Sequence, residues 1–204
     1  MTRILSMIAG IMLLAPSMIF AQSGDAEAGK AKIVTCAACH GQNGIGTTPE
    51  NPSLAGQVPG YIATQLKMFK LGANGGRENA IMGGMVATLS EQDMADIDAY
   101  YSSLPPQAGS ITPEQEQTAL AGRDVYRAGY AEFSIPACMG CHGPSGSGIG
   151  PHYPRLSGLS KEYLTSQLQA YKSGQRQNVM MNPIAYPLSA QQIEALATYM
   201  SGLN

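Results

Sequence analysis

The chain has 204 residues, 44% hydrophobic and 13% charged, with 24 Gly and 13 Pro, the balance of a globular but loop-rich protein. That apolar content excludes a disordered tail, and no Gly-X-Y or heptad period points to collagen or a coiled coil. A formal net charge of −2 without a run of Lys and Arg argues against nucleic acid, whose phosphates need a basic face.

Residues 1–21 carry Arg3, then an apolar stretch interrupted by Ser6, Gly10, Pro16 and Ser17, and end at Ala21 before polar residues. This is the pattern of a secretory signal peptide, although Ile19 stands where a small residue is usual before the cut. A retained membrane anchor is the alternative, because 17 to 20 or so apolar residues can span a bilayer. Cleavage leaves 11 basic against 14 acidic residues, and places four cysteines where lone thiols tend to oxidise.

The expected elements are helical. A first helix over 25–35 leads into Cys36-Ala37-Ala38-Cys39-His40, and a middle helix spans 61–71. A closing helix over 91–104 has Ile97, Tyr100, Tyr101 and Leu104 on one apolar face, those tyrosines being core residues with bonded hydroxyls. The stretch 102–117, with Pro105-Pro106, Gly109 and Pro113, is extended and fairly stiff, and the linker between the units is 105–117. The pattern then restarts: a helix over 118–130, the motif Cys138-Met139-Gly140-Cys141-His142, a middle helix over 162–172 capped by Ser160, and a closing helix over 190–203. Ser189 with Gln192 makes a capping box, and Ser90 with Asp93 a variant of it.

The restart is a true internal repeat. At an offset of 102 the Cys-x-x-Cys-His-Gly motifs superimpose, as do Pro52, Leu54, Gly56, Tyr61, Gln65 and Leu66 on Pro154, Leu156, Gly158, Tyr163, Gln167 and Leu168. Beyond a three-residue deletion the offset is 99, matching Arg77, Asn79, Met82, Leu89 and Ser90 with Arg176, Asn178, Met181, Leu188 and Ser189. A repeat of this length is a duplicated small domain, giving an all-α chain of two tandem units, 22–104 and 118–204.

Cys-x-x-Cys-His is the attachment signature of c-type haem: two thiols on one turn reach two vinyl groups of one porphyrin, and the histidine faces the iron. Cys36, Cys39, Cys138 and Cys141 are thus candidate thioether residues, and His40 and His142 candidate proximal ligands, of two covalent haem c groups. A thioredoxin-like pair does not require the histidine twice, a zinc site lacks a fourth ligand, and disulfides between such near neighbours constrain little. Among the 12 methionines, register selects Met82 and Met181 as sixth ligands, on loops just before the closing helices, with Met85 and Met180 as fallbacks. Pro52 and Pro154 are candidates to offer each histidine a carbonyl. His152, the one histidine outside the motifs, is expected to face solvent, displacement of Met181 being its alternative.

Two tandem units with these motifs behind a signal peptide resemble the dihaem cytochrome c4 family, the match covering nearly all of the chain after the signal peptide. Its specific elements are Asp25-Ala26-Glu27-Ala28-Gly29, both haem motifs, Leu54-Ala55-Gly56-Gln57, Met82-x-x-Met85 and the Leu-Ser pairs. The resemblance implies two class I cytochrome c domains, His/Met ligation of both irons, and haem edges facing across a pseudo-twofold interface. It also implies a periplasmic carrier, not an enzyme, passing electrons from a quinol-cytochrome c reductase type of donor to a terminal oxidase, often of the cbb3 type, with any membrane contact made through partners. Met180-Met181-Asn182-Pro183 departs from the family's usual Met followed by a basic or small residue and Gly. The competing classes are a dihaem peroxidase, which needs an iron with an exchangeable position, and a haem subunit of a dehydrogenase or oxidase complex.

Overall fold

The computed structural model describes residues 23–204, so the expected signal segment 1–21 lies outside the described residues. Among those described, ten α-helices and three 3-10 turns follow one another, and β pairing is confined to isolated bridges. The first half runs α1 (Ala26–Lys32), α2 (Ala37–His40), α3 (Tyr61–Leu71), α4 (Ala80–Val86) and α5 (Glu91–Ser103). The second repeats it as α6 (Glu116–Ala128), α7 (Met139–His142), α8 (Lys161–Ser173), α9 (Met181–Ala185) and α10 (Ala190–Ser201).

In each half the first helix crosses the closing helix, α1 on α5 and α6 on α10, and the middle helix packs beside that pair. Glycine makes the crossing close. A Cβ at Gly29 would stand 2.0 Å from the Asp96 carbonyl oxygen, and one at Gly122 2.0 Å from that of Ala195. Ile33, Ile62, Leu66, Val86, Met94, Ile97 and Tyr101 fill one core; Tyr126, Leu164, Leu168, Leu188, Ile193 and Leu196 are the centre of the other.

Local chemistry sets the helix ends. The Asp25 carboxylate accepts from the Glu27 and Ala28 amides, starting α1. Capping boxes start α5 at Ser90 and α10 at Ser189, with both reciprocal bonds formed in each. α1 stops at Lys32, short of the expected 35, while α6 starts two residues earlier than expected because the 3-10 turn Pro113–Gln115 leads straight into it. The end of the expected linker is therefore helical. The two methionines expected on loops sit instead on short helices, Met82 inside α4 and Met181 at the start of α9. Pro183 is tolerated in α9 because it falls in the first turn, where an amide has no helical acceptor.

The rest of the linker is stitched down. Ser53 Oγ donates to Gln107 Oε1 at 2.8 Å, the Gly109 amide donates to Asn204 Oδ1 at 2.8 Å, and the Ser110 amide donates to the Ser201 carbonyl at 2.9 Å. The segment thus touches both halves in passing from one to the other.

Candidate functional site

Each Cys-x-x-Cys-His motif forms one helical turn. The His40 amide bonds the Cys36 carbonyl at 2.9 Å and the His142 amide the Cys138 carbonyl at 3.0 Å. Gly41 (φ 73°) and Gly143 (φ 81°) end the turns in the left-handed region that glycine enters freely. None of the four cysteines is joined to another in a disulfide. Cys39 and Cys141 are exposed, while Cys36 and Cys138 are partly covered, and burial pushes the Cys138 thiol up to about 11. Both histidines are buried, and burial lowers their pKa, keeping the neutral imidazole that a metal needs.

The expected carbonyl partners are in place. His40 Nδ1 lies 2.9 Å from the Pro52 carbonyl and His142 Nδ1 2.9 Å from that of Pro154, leaving each Nε2 free of that bond. With Nδ1–H donating, the free nitrogen is the lone-pair nitrogen, fixed in direction.

The methionine segments are held by residues whose role the sequence alone did not reveal. Asn79 caps α4 by accepting from the Met82 amide at 2.9 Å; Asn178 accepts from the Met181 amide at 2.9 Å. Asn182, at the departure from the family pattern, donates to the Tyr171 carbonyl at 2.6 Å and the Arg176 carbonyl at 2.8 Å, tying α9 to the end of α8. Met82 and Met181 pack against the two cores, whereas Met85 is 51% and Met180 41% exposed. His152 is exposed, at the tip of a turn closed by the Ile149–Tyr153 bridge.

These residues fit haem. Each half offers two thiols one turn apart, a buried neutral histidine with a directed lone pair, and a methionine on a pinned helix. Near Cys36 the Tyr101 hydroxyl is buried without a hydrogen-bond partner, whereas Tyr126 in the other half donates to the Gly143 carbonyl at 2.6 Å. No group of three or more His, Cys, Asp and Glu gathers into a metal cluster among the described residues.

The halves meet along a reciprocal seam. Arg77 stacks over Phe69 of its own half at 4.2 Å and donates to the Tyr163 hydroxyl of the other at 3.0 Å. Arg176 stacks over Tyr171 at 4.6 Å and donates to the Tyr61 hydroxyl at 2.9 Å. The two arginine backbones pair as an antiparallel bridge, and Gln57 clasps the Arg155 backbone, accepting from its amide at 2.7 Å and donating to its carbonyl at 3.2 Å.

Two attachment turns on two matching helical units are the arrangement of a dihaem c-type cytochrome. A cytochrome c family model matches residues 26–105 and again 119–204. The chain is 39% identical over 193 residues to the cytochrome c4 of Azotobacter vinelandii, covering 89% of this chain and 90% of the relative. It superimposes on the reduced recombinant cytochrome c4 of Pseudomonas stutzeri with a TM-score of 0.83 at 38% identity, covering 89% of this chain and 100% of that one. It is also 35% identical over 191 residues, 91% of this chain and 85% of the relative, to a thiosulfate dehydrogenase electron acceptor of Stutzerimonas stutzeri (strain A1501). The chain belongs to the cytochrome c family, among the cytochromes c4. It carries two covalently bound haem c groups and is an electron carrier, as its relatives are.

Proposed function

We propose that residues 22–104 hold one haem through Cys36 and Cys39, with His40 and Met82 on its iron. Residues 118–204 would hold the other through Cys138 and Cys141, with His142 and Met181, and residues 105–117 join the two. The observation that carries this reading is that both halves repeat the same pair of devices, a methionine segment pinned by Asn79 or Asn178 and a histidine held by the carbonyl of Pro52 or Pro154. Haem iron supplies a one-electron Fe(III)/Fe(II) couple, and His/Met ligation fills its coordination sphere, favouring transfer over catalysis. What the protein does is hold those ligands still, so that little reorganises when the charge changes.

The setting is the periplasm, reached by an N-terminal signal peptide, with a quinol-cytochrome c reductase type of donor and a terminal oxidase, of cbb3 type, as acceptor. The likeness to a thiosulfate dehydrogenase electron acceptor supports a second reading, in which a dehydrogenase is the donor. A spectroelectrochemical titration of the matured protein tests the ligands. Met82→His should lower the potential of the first haem and remove its methionine-to-iron(III) band, while Met85→Leu keeps both; loss of the band in Met85→Leu would move the ligand to Met85. Stopped-flow oxidation by a cbb3 oxidase and reduction by a thiosulfate dehydrogenase separate the two settings.

A further inference from the structure

Around each methionine that the ligand reading assigns, the repeat keeps a pair of apolar side chains. One position before it and three after it stand Ile81 and Met85 in the first half, and Met180 and Ile184 in the second. Each half thus has one isoleucine and one methionine there, in opposite order. Four residues apart, Ile81 and Met85 are neighbours on one face of α4, and both are exposed. Met180 is exposed at the start of α9 beside the exposed Val179, and the Tyr153 hydroxyl donates to its sulfur at 3.8 Å. Met82 and Met181 pack against the cores instead, and Met94 and Met200 are buried. Met139, on the second attachment turn, is the one other exposed methionine among the described residues.

We propose that Met85 and Met180 are reversible oxidation sites, through which a hypohalous acid slows the electron exchange of this carrier while sparing the ligand beside each. An exposed thioether takes up an oxygen atom without disturbing a core, whereas a sulfur on iron has its lone pair engaged. In the step the methionine sulfur gives up two electrons and takes the oxygen of hypochlorous acid, and chloride and a proton leave. A dithiol reductase reverses it, carrying the oxygen off as water and becoming a disulfide. The Tyr153 hydroxyl, already on the Met180 sulfur, is placed to donate to the new oxygen. The effect on exchange follows from the surface. With 13% charged residues the chain has little but apolar side chains to dock with, and methionine is at home in such contacts. A sulfoxide is polar and must shed its water at every encounter, which opposes contact.

This inference rests on the ligands proposed above, and the methionine-to-iron(III) bands report on those separately. The test adds hypochlorous acid stepwise to the matured full chain and to a Met85→Leu/Met180→Leu double variant. Peptide mass mapping follows each methionine, visible spectra follow the bands, and NMR line widths in mixtures of oxidised and reduced protein give the electron self-exchange rate. Expected in the parent is one added oxygen on Met85 and on Met180 before Met82 or Met181, with both bands intact. Self-exchange should slow several-fold and recover on treatment with methionine sulfoxide reductases and a dithiol. The double variant, whatever its starting rate, should not respond, although Met139 remains open to the oxidant. Unchanged exchange with both sites oxidised and both bands intact overturns the proposal alone, as does a response that survives in the double variant. Oxygen arriving first on Met82 or Met181 overturns it too. A band lost in step with oxidation of Met85 or Met180 overturns the ligand assignment as well, and names that residue as the ligand.

Discussion

The two halves share a plan but are built from different chemistry. The first binds its helices with buried charge. Lys32 on α1 bridges Asp93 at 2.7 Å and also reaches Asp96 on α5, whose other oxygen accepts from the Asp25 amide at 2.9 Å. Asp98, 6% exposed, accepts from the Gly60, Ile62 and Ala63 amides and so caps α3 from across the fold. At the matching positions of α10 stand Gln192, Ala195 and Ala197, and the second half relies on a wider apolar core with a local Ser160 cap on α8. Residues 23–104 accordingly hold five Lys and Arg against eight Asp and Glu, whereas residues 105–204 hold six of each. One topology tolerates either solution at these positions, while the glycine crossing and the Cys-x-x-Cys-His turns match in both halves.

That comparison can be broken or sharpened. The largest effect is expected at what the halves share: Gly29→Val or Gly122→Val drives a side chain into a backbone carbonyl and should cost more than about 3 kcal/mol in its own half, read as early loss of that haem's visible band on heating. Next comes Asp98→Ala, which leaves three amides near the α3 start without their acceptor and should cost about 2–3 kcal/mol by denaturant titration; equal stability to the parent would mean water replaces the carboxylate. Ser160→Ala removes only a local cap and should cost about 1 kcal/mol by the same titration.

Acid should separate the halves too. Lys32 and the Ser90 cap hold the Asp93 carboxyl well below its usual range, and the Asp25 amide, then Lys32 and Gln92, do the same for Asp96. A depressed folded pKa stabilises above the unfolded value, near 4, and that stability is lost as pH falls through the folded value. Circular dichroism with haem-band spectra below about pH 4 should therefore show the first half loosening first, and simultaneous loss would mean the clamp contributes little. Smallest is the ionic-strength effect on electron exchange with an oxidase, which should be modest because few charges steer weakly; stopped-flow rates falling steeply with salt would point to a charged docking face on the first half.

Much of this was legible in the sequence because the repeat aligned two independent copies. It gave the haem motifs, the six main helices and the proline carbonyls, all set by local spacing or by position relative to the motif. The helix at Met82 was not legible: Ala80–Val86 contains Gly83 and Gly84 and is too short to show a period, so only the Asn79 cap marks it. The roles of Asp96 and Asp98 were hidden for another reason. Their partners lie at least 35 residues away, apart from Gln92 for Asp96, and a long-range bond leaves no local signature. Arg77 and Arg176 did appear in the repeat, but a symmetric match cannot say that two like charges meet.

The pinned linker changes what the duplication achieves. Two separate single-haem proteins would meet at a rate set by their concentrations, and a slack tether would replace that rate with an effective concentration set by its length. A connector bonded to Ser53 on one side and to Ser201 and Asn204 on the other removes the search altogether. An electron arriving at either haem then finds the other at a fixed address, so the molecule can accept one electron at a time and hold two for its partner, a small capacitor as well as a courier.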